Sequence, residues 1–174
     1  HVMKPAGRFC LQERAIPLVF FSGGSGITPV ISIIKSALAT TRRTLHLVYA
    51  NRDADSIIFR AELSALADTH PERLKVTHRL DASEGFLDRP AARAVVAADP
   101  DADFYVCGPG PFMDVVEATL DAESVPEERI FIERFVSPEL DAPEAEGGSV
   151  PSGDMNSVRV YLDGETHQVS VKPD

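Results

Sequence analysis

The sequence contains no tryptophan and only two cysteines in 174 residues. Cys10 and Cys107 lie far apart, so the sequence predicts neither a disulfide framework nor a cysteine metal site. His46, His70 and His78 share no metal-ligand spacing either, and we expect no bound metal. Because we find no signal peptide and no apolar run long enough to span a bilayer, we predict a cytoplasmic protein.

Basic residues are also scarce. Lysine and arginine number 17 against 27 aspartates and glutamates, which gives a formal net charge of −10. This charge argues against nucleic acid and against anionic membrane surfaces as partners. The acidity is uneven, because residues 137–174 hold eight acidic and only two basic residues. Hydrophobic residues make up 44% of the chain, enough for a full core, and we expect a monomer.

The stretch Pro17–Ser36 reads as a buried strand, a glycine turn and an amphipathic helix. Leu18–Phe21 is a continuous apolar run, which is typical of a strand covered on both faces. Ser22–Gly26 interrupts this run with three glycines, which let the backbone approach a ligand closely. We predict Thr28 as the N-cap of the helix and Pro29 as its first residue. The helical spacing of Ile31, Ile34, Ala37 and Leu38 predicts the buried side of the helix.

A phosphate group is one predicted ligand of this turn, because a helix N-terminus offers unbonded N–H groups. The spacing Gly24-x-Gly26-x-x-Pro29 departs from the dinucleotide-binding pattern G-x-G-x-x-G at its last position. The alternative is a tight strand-to-helix turn with no ligand. This stretch alone leaves both interpretations open.

The rest of the chain repeats the alternation of strands and helices. We predict strands at residues 18–21, 44–50, 74–77, 104–107 and 129–135, and helices at residues 28–38, 53–67, 90–98 and 111–120. This favours a doubly wound, Rossmann-like α/β fold with a five-stranded parallel sheet, for which we take the order 3-2-1-4-5 as a hypothesis. A second glycine turn, Gly108–Gly110, follows the fourth strand, with Pro111 as the first residue of the next helix. Both glycine turns would then flank one crevice at the carboxyl ends of the strands, where such sheets bind ligands.

The two ends of the chain have a different character. Residues 137–156 are rich in Pro, Glu, Gly and Ser, which predicts a flexible acidic linker. Residues 157–174 alternate around Asp163-Gly164, which predicts a β-hairpin. Since an isolated hairpin is marginally stable and the chain begins at His1 without an initiator Met, we expect a piece of a longer protein. Residues 1–13 are either an adhering arm or the end of a further domain.

Four segments carry a resemblance to a known family: residues 23–29 (GGSGITP), 49–52 (YANR), 107–113 (CGPGPFM) and 133–135 (ERF). In this order and at this spacing they resemble the NAD(P)-binding domain of the ferredoxin–NADP reductase superfamily. The chain is similar to the oxygenase reductases of the 3-ketosteroid 9α-hydroxylase and phenylacetyl-CoA epoxidase type. In that branch a flavin domain, a nucleotide domain and a plant-type ferredoxin domain follow one another.

The resemblance implies domain borders and cofactors. Residues 1–13 would end a flavin-binding domain, residues 14–136 would form the NAD(P)-binding domain, and residues 157–174 would open a truncated [2Fe-2S] ferredoxin domain. The flavin motif and the four-cysteine cluster pattern are absent from this chain. A full-length parent would be an NAD(P)H-dependent reductase that passes electrons through FAD and a [2Fe-2S] cluster to an iron–sulfur oxygenase component. This chain alone would bind the nucleotide without reductase activity.

The resemblance also implies residue roles. Cys107 would lie beside nicotinamide C4, and Glu133 and Phe135 would complete the catalytic set. Alternatively Cys107 is an inert buried cysteine, Glu133 pairs with a surface arginine and Phe135 belongs to the core. The nucleotide would contact a larger set: Gly23, Gly24, Ser25, Gly26, Thr28, Pro29, Asn51, Arg52, Asp53, Cys107, Gly108, Pro109, Gly110 and Met113.

Coenzyme choice would depend on the residues after the second strand. Acidic groups at Asp53 and Asp55 favour the ribose 2′-hydroxyl of NADH, whereas Arg52 favours the 2′-phosphate of NADPH. We predict NADH, although both aspartates could simply cap a helix. A nucleotide-sensing protein and a flavodoxin-like binding module, both without redox activity, remain alternatives. The second glycine turn argues against the flavodoxin-like module.

Overall fold

The computed structural model describes residues 7–135, 156–162 and 165–171. The chain divides into two units, His1–Val136 and Ser137–Asp174. The elements of the first unit alternate along the chain: β1 (Leu18–Gly23), α1 (Ile27–Thr40), β2 (Leu45–Asn51), α2 (Arg60–Thr69), β3 (Leu74–Leu80), α3 (Asp81–Glu84), α4 (Arg89–Ala98), β4 (Asp103–Cys107), α5 (Gly110–Ala122) and β5 (Ile130–Glu133). The second unit contains β6 (Asn156–Leu162) and β7 (Glu165–Val171).

The five strands of the first unit form one parallel sheet in the order β3-β2-β1-β4-β5. This confirms the predicted doubly wound α/β fold. Because β1 is the central strand, each of its residues is buried, and the apolar run at Leu18–Phe21 is covered on both faces. The sheet therefore places the ends of β1 and β4 side by side at its carboxyl edge.

Helices cover both faces of the sheet. Phe20 points towards the face of α1 and α2, and Phe21 towards the face of α4 and α5. Both side chains are 0% exposed. Burying such an aromatic side chain stabilises the fold by roughly 1.5–3 kcal/mol, so the alternating pair holds both helix layers to the central strand.

An aromatic row crosses three strands on the α1 face. Phe20, Tyr105 and Phe131 occupy the same register of β1, β4 and β5. The Tyr105 ring stacks at 5.2 Å from Phe20 and at 4.7 Å from Phe131, measured between centroids. The ring of Phe9 meets Tyr105 edge-on at 5.5 Å. Such pairs contribute about 0.5–1.5 kcal/mol beyond their buried area.

The segment before β1 lies against the sheet as an arm. Its residues 7–16 form no strand, and the Tyr105 hydroxyl donates to the carbonyl oxygen of Cys10 at 2.9 Å. The Arg43 guanidinium donates to the Gln12 carbonyl at 3.0 Å and to the Ile16 carbonyl. The same guanidinium pairs with the fully buried Asp103 at 2.7 Å. One buried cation therefore holds both the arm and the start of β4.

The predicted start of α1 is wrong. A 3-10 turn at Gly24–Gly26 runs directly into the helix, so Gly26 occupies the N-cap position that we predicted for Thr28. The Thr28 hydroxyl instead donates to the Ser25 carbonyl at 3.0 Å, within the first turn. The buried stripe of α1 agrees with the prediction, since Ile31, Ile34 and neighbouring apolar residues face the sheet.

The predicted start of α2 is wrong as well. Neither Asp53 nor Asp55 caps this helix, because it begins only at Arg60, after Phe59 in the left-handed conformation (φ 57°, ψ 26°). Asp53 caps a turn instead, where its carboxylate accepts from the Ser56 N–H at 2.9 Å. Leu63 is the fully buried residue of α2, and Leu66 and Ala67 pack against the same core.

The remaining differences are small. Helix α5 begins at Gly110, with Pro111 as its second residue rather than its first. Strand β3 continues to Leu80 because each of its residues pairs with β2, whereas β5 ends at Glu133. The predicted hairpin at residues 157–174 is present as the antiparallel pair of β6 and β7. The predicted linker lies outside the described residues, apart from Asn156, which begins β6.

Candidate functional site

Two glycine turns meet at the carboxyl edge of the sheet. A Cβ atom at Gly23 would lie 2.8 Å from the Pro109 ring, and one at Gly108 would lie 3.0 Å from the Gly23 nitrogen. A Cβ atom at Gly26 would lie 2.1 Å from the Cys107 carbonyl oxygen. The turn after β1 and the turn after β4 therefore pack backbone against backbone, as the predicted crevice requires. Only glycine permits this approach.

Two helix N-termini converge at the same place. Helix α1 begins after Gly26 and α5 after Pro109, and neither has a side-chain cap or an acidic residue in its first turn. Helix α4 differs, because the Asp88 carboxylate accepts from the Ala91 N–H at 3.0 Å. The first N–H groups of a helix and its dipole attract an anion, so the two uncapped ends suit a phosphate or pyrophosphate group.

The first turn presents exposed polar groups to this edge. Ser25 and Thr28 are exposed, Gly24 is half-buried, and Pro29 follows within the first turn of α1. Gly24 has a positive φ of 50°, which favours glycine. Of the second turn, Pro109 and Gly110 are exposed and Gly108 is half-buried. The structure thus brings the predicted pyrophosphate-binding residues of both turns together.

Buried polar atoms without partners lie at the ends of β1 and β2. The Ser22 hydroxyl and both polar atoms of the Asn51 amide find no hydrogen-bond partner among the described residues, although Ser22 and Asn51 are only 0% and 4% exposed. Such orphaned groups are costly unless a ligand or water satisfies them. Asn51 was predicted as a nucleotide contact, whereas Ser22 was not. The sequence signal for Ser22 is a serine at the end of an otherwise apolar strand.

Cys107 ends β4 directly beside Ser22 of β1 and Glu133 of β5. Its side chain is fully buried, and burial together with the nearby Glu133 carboxylate raises the pKa of the thiol to about 11. The thiol is therefore protonated at neutral pH and is a poor nucleophile. Glu133 is half-buried and Phe135 is 55% exposed, so the structure does not place Phe135 in the core.

Met113 is the predicted contact that faces away from this edge. Its side chain is 1% exposed and packs in the core beneath α5 with Val116 and Leu120. Phe112 packs beside Gly23 and Gly108, where its ring would touch a Cβ at either position. The sequence pattern predicts that both residues lie on α5. It does not predict that Phe112 packs at the turns and Met113 in the core.

Three of the predicted ribose-binding residues, Arg52, Asp53 and Asp55, lie in the segment between β2 and α2. Arg52 has an 82% exposed side chain and pairs with Asp53 at 2.9 Å. This guanidinium, followed by hydrogen bonds from Ser56, lowers the pKa of the Asp53 carboxyl. Asp55 is exposed. The negative charge of Asp53 is thus partly compensated within the loop, which weakens it as a determinant of coenzyme choice.

Further residues at this edge were missed by the sequence analysis. Phe59 and Phe86 are 40% and 82% exposed in the loops that follow β2 and β3. Arg79 holds the second loop, since its guanidinium donates to the carbonyls of Glu84 at 3.2 Å and of Phe86 at 3.1 Å. An aromatic residue shortly before a helix start was the only signal available for them in the sequence. They provide exposed apolar surface before α2 and α4.

Two negative observations concern the described residues. Within residues 7–135 and the two strands of the second unit, no helix has the length and apolarity needed to cross a membrane. In the same parts of the chain, no three potential metal ligands among His, Cys, Asp and Glu are grouped around one point.

Comparisons with known proteins agree with this geometry. A family model described as an oxidoreductase NAD-binding domain matches residues 20–118. The chain is 41% identical over 173 residues to the ferredoxin reductase component of 3-ketosteroid-9-alpha-monooxygenase from Rhodococcus rhodochrous, covering 97% of this chain and 49% of that protein. It is 30% identical over 188 residues to a component protein of the 1,2-phenylacetyl-CoA epoxidase of Escherichia coli K12, covering 99% of this chain and 52% of that protein. The chain thus spans about half the length of these relatives.

Solved structures share the fold. The cytochrome b5 reductase domain of Ulva prolifera nitrate reductase is 26% identical with a TM-score of 0.59, covering 72% of this chain and 50% of that one. Ferredoxin-NADP+ reductase from Plasmodium falciparum with 2′P-AMP is 18% identical with a TM-score of 0.63, covering 75% of this chain and 57% of that one. The second comparison supports the fold alone.

Proposed function

The chain belongs to the ferredoxin–NADP reductase superfamily as an oxidoreductase NAD-binding domain, and we propose that it holds the pyrophosphate of NAD(P)H between its two glycine turns. The observation that carries this proposal is the convergence of two uncapped helix N-termini, at α1 and α5. Two sets of N–H groups at one edge match the two charged groups of a pyrophosphate better than one set would.

The residues present fit this ligand. The buried Ser22 hydroxyl and the Asn51 amide offer polar atoms that have no partner in the part of the chain that the structure describes. Cys107 and Glu133 lie together at the end of β4 and β5, where they would border the nicotinamide. The bound coenzyme supplies the hydride, and the protein contributes binding and orientation. A protonated, buried Cys107 would act by position rather than by nucleophilic attack.

For the longer protein we propose an NAD(P)H-dependent reductase that carries FAD and a [2Fe-2S] cluster and serves an oxygenase. Relatives named as reductase components of a monooxygenase support this, and they favour it over a nucleotide sensor or a flavodoxin-like module. In this proposal residues 1–13 end a flavin-binding domain, 14–136 bind the nucleotide, 137–156 are a linker and 157–174 open a [2Fe-2S] ferredoxin domain. The electrons would pass to an iron–sulfur oxygenase component. The longer reductase itself would be a monomeric, cytoplasmic protein.

We further propose that NADH is preferred over NADPH. Asp53 and Asp55 add negative charge to the loop after β2, where a 2′-phosphate would be repelled. The ion pair between Arg52 and Asp53 reduces that repulsion, so the preference should be modest.

A negative charge introduced at the first glycine turn tests the proposal. Ser25→Asp places a carboxylate at the exposed tip of the first turn, and Ser36→Asp makes the same change on the exposed side of α1, away from the turn. Repulsion between the carboxylate and a phosphate a few ångströms away should weaken NADH binding about tenfold or more in Ser25→Asp. Ser36→Asp should bind like the wild type. Isothermal titration calorimetry with NADH and NADPH measures both.

The stability of Ser25→Asp provides an internal control. An acidic residue at a helix N-terminus stabilises the fold slightly, so weaker binding could not be attributed to unfolding. Absence of binding of either nucleotide to the folded wild type would refute the proposal, and so would equal affinities of the two variants. The chain alone should not reduce ferricyanide with NADH, since it lacks the flavin motif.

A further inference from the structure

A hydrogen bond joins a side chain of β2 to the first glycine turn. The Tyr49 hydroxyl on β2 donates to the Gly24 carbonyl oxygen at 2.9 Å. Tyr49 is 0% exposed, and burial raises the pKa of its phenol, so the hydroxyl is protonated at neutral pH. The Ile27 N–H donates to the same carbonyl from the following turn. The Gly24 oxygen thus faces the Tyr49 side chain and the start of α1.

This bond has a consequence for the next N–H group. A trans peptide unit is planar, and its C=O and N–H bonds point in opposite directions. The unit that joins Gly24 to Ser25 turns its oxygen towards the Tyr49 hydroxyl, so the Ser25 N–H points away from Tyr49. Ser25 is exposed.

We infer that Tyr49 is a positioning residue, which orients the Gly24–Ser25 peptide so that the Ser25 N–H serves as a donor to the nucleotide pyrophosphate. The inference rests on the proposed function and deepens it, because it assigns a role to a residue that does not contact the ligand. With φ at 50°, Gly24 reaches conformations that are closed to other residues, so this peptide has more freedom to rotate. A fixed partner for its oxygen removes that freedom before the ligand binds.

The chain offers a matched control for this bond. Tyr105 is also 0% exposed, and its hydroxyl also donates to a backbone carbonyl at 2.9 Å, that of Cys10. That carbonyl belongs to the arm before β1, not to a glycine turn. Tyr49→Phe and Tyr105→Phe therefore remove the same kind of bond at equal burial. Tyr49→Phe should fold, since the Gly24 oxygen keeps the Ile27 N–H as a partner.

Two measurements on the 174-residue chain test the inference. In calorimetry, Tyr49→Phe should weaken NADH binding by about three- to tenfold, the range expected for loss of one hydrogen bond between neutral groups, and Tyr105→Phe should not. In amide NMR, inorganic pyrophosphate should shift the Ser25 signal of the wild type and of Tyr105→Phe. The shift should be small or absent in Tyr49→Phe. A change limited to stability would leave the Ser25 response intact.

Each contrary outcome has a defined meaning. Equal NADH affinities for Tyr49→Phe and the wild type, or equal losses in both variants, would overturn the role of Tyr49 and leave the proposed function standing. The role of Tyr49 would also be overturned if pyrophosphate shifted other amide signals of the wild type but not the Ser25 signal. If the folded wild type bound neither NADH nor pyrophosphate, the proposed function would fail, and this inference with it.

Discussion

The carbonyl oxygen of Cys107 occupies the space that a side chain at Gly26 would need. A Cβ atom at this glycine would lie 2.1 Å from that oxygen and 2.8 Å from the Gly108 nitrogen. Gly26 has φ −59° and ψ −13°, which any residue can adopt, so it is required for space and not for conformation. The contact fixes the start of α1 against the end of β4 and joins both glycine turns into one surface.

Gly26→Ala should therefore destabilise the protein. Overpacking typically costs about 1–3 kcal/mol, and the upper end is expected because the clashing atoms belong to the backbone. Gly110→Ala is the matched control, since a Cβ there meets nothing within 4 Å. Urea unfolding should show a lower free energy for Gly26→Ala and an unchanged or slightly higher one for Gly110→Ala. Equal stabilities would contradict the backbone contact.

Arg43→Ala should be among the most destabilising charge removals in the described residues. It leaves the fully buried Asp103 with only Arg14, whose guanidinium lies 3.0 Å away and is 35% exposed. Breaking a buried ion pair costs about 3–5 kcal/mol. Arg93→Ala removes an exposed partner of Glu123 and should cost about 1 kcal/mol or less. Thermal unfolding of the two variants measures the difference, and similar losses would show that Asp103 is satisfied without Arg43.

The two cysteines should differ in reactivity. Iodoacetamide at about pH 8 should modify the exposed Cys10 in the folded chain and spare the buried Cys107, whose thiol has its pKa raised to about 11. Both should react in urea. Mass spectrometry of the digested protein identifies the modified site. Rapid modification of Cys107 in the folded state would show that the end of β4 is open to solvent.

Alkaline pH should destabilise the protein through Cys107. The folded state raises the pKa of this thiol from 9.0 to about 11, so the folded chain keeps a proton that the unfolded chain releases. This contribution to stability is complete below about pH 9 and is lost as the pH rises towards 11. Cys107→Ser, which does not titrate there, should show a smaller loss of unfolding free energy between pH 9 and 11. If the unfolding free energies of the wild type and of Cys107→Ser fell in parallel over this pH range, the loss of stability could not be assigned to Cys107.

Asp53→Asn should shift coenzyme choice towards NADPH. The asparagine keeps an oxygen for the Ser56 N–H but removes the charge that pairs with Arg52. The guanidinium is then free to meet a 2′-phosphate, so the affinity ratio of NADPH to NADH should rise several-fold. Asp55→Asn, at an exposed position nearby, should have a smaller effect. Calorimetry with both nucleotides measures this ratio. An unchanged ratio would show that Asp53 stabilises its turn and does not influence coenzyme choice.

The sequence predicted the elements of the fold well because their signals are local. An apolar run covered on both faces predicted β1, and the spacing of Ile31 and Ile34 predicted the buried side of α1. Helix starts were predicted less well. Thr28 and Asp53 are good capping residues, but the packed glycine turn and a left-handed Phe59 decided where α1 and α2 begin.

The sequence by itself determined the alternation of strands and helices and the position of both glycine turns, because these follow from short-range patterns. The predicted strand order is confirmed, but the handedness of parallel connections does not by itself select it. Only the tertiary structure decided which groups meet across the sheet. Tyr49 reaches Gly24 across 25 positions, and Arg43 reaches Asp103 across 60. No local pattern encodes such pairs, because the parallel pairing of β1 with its neighbours brings them together only when the sheet is complete.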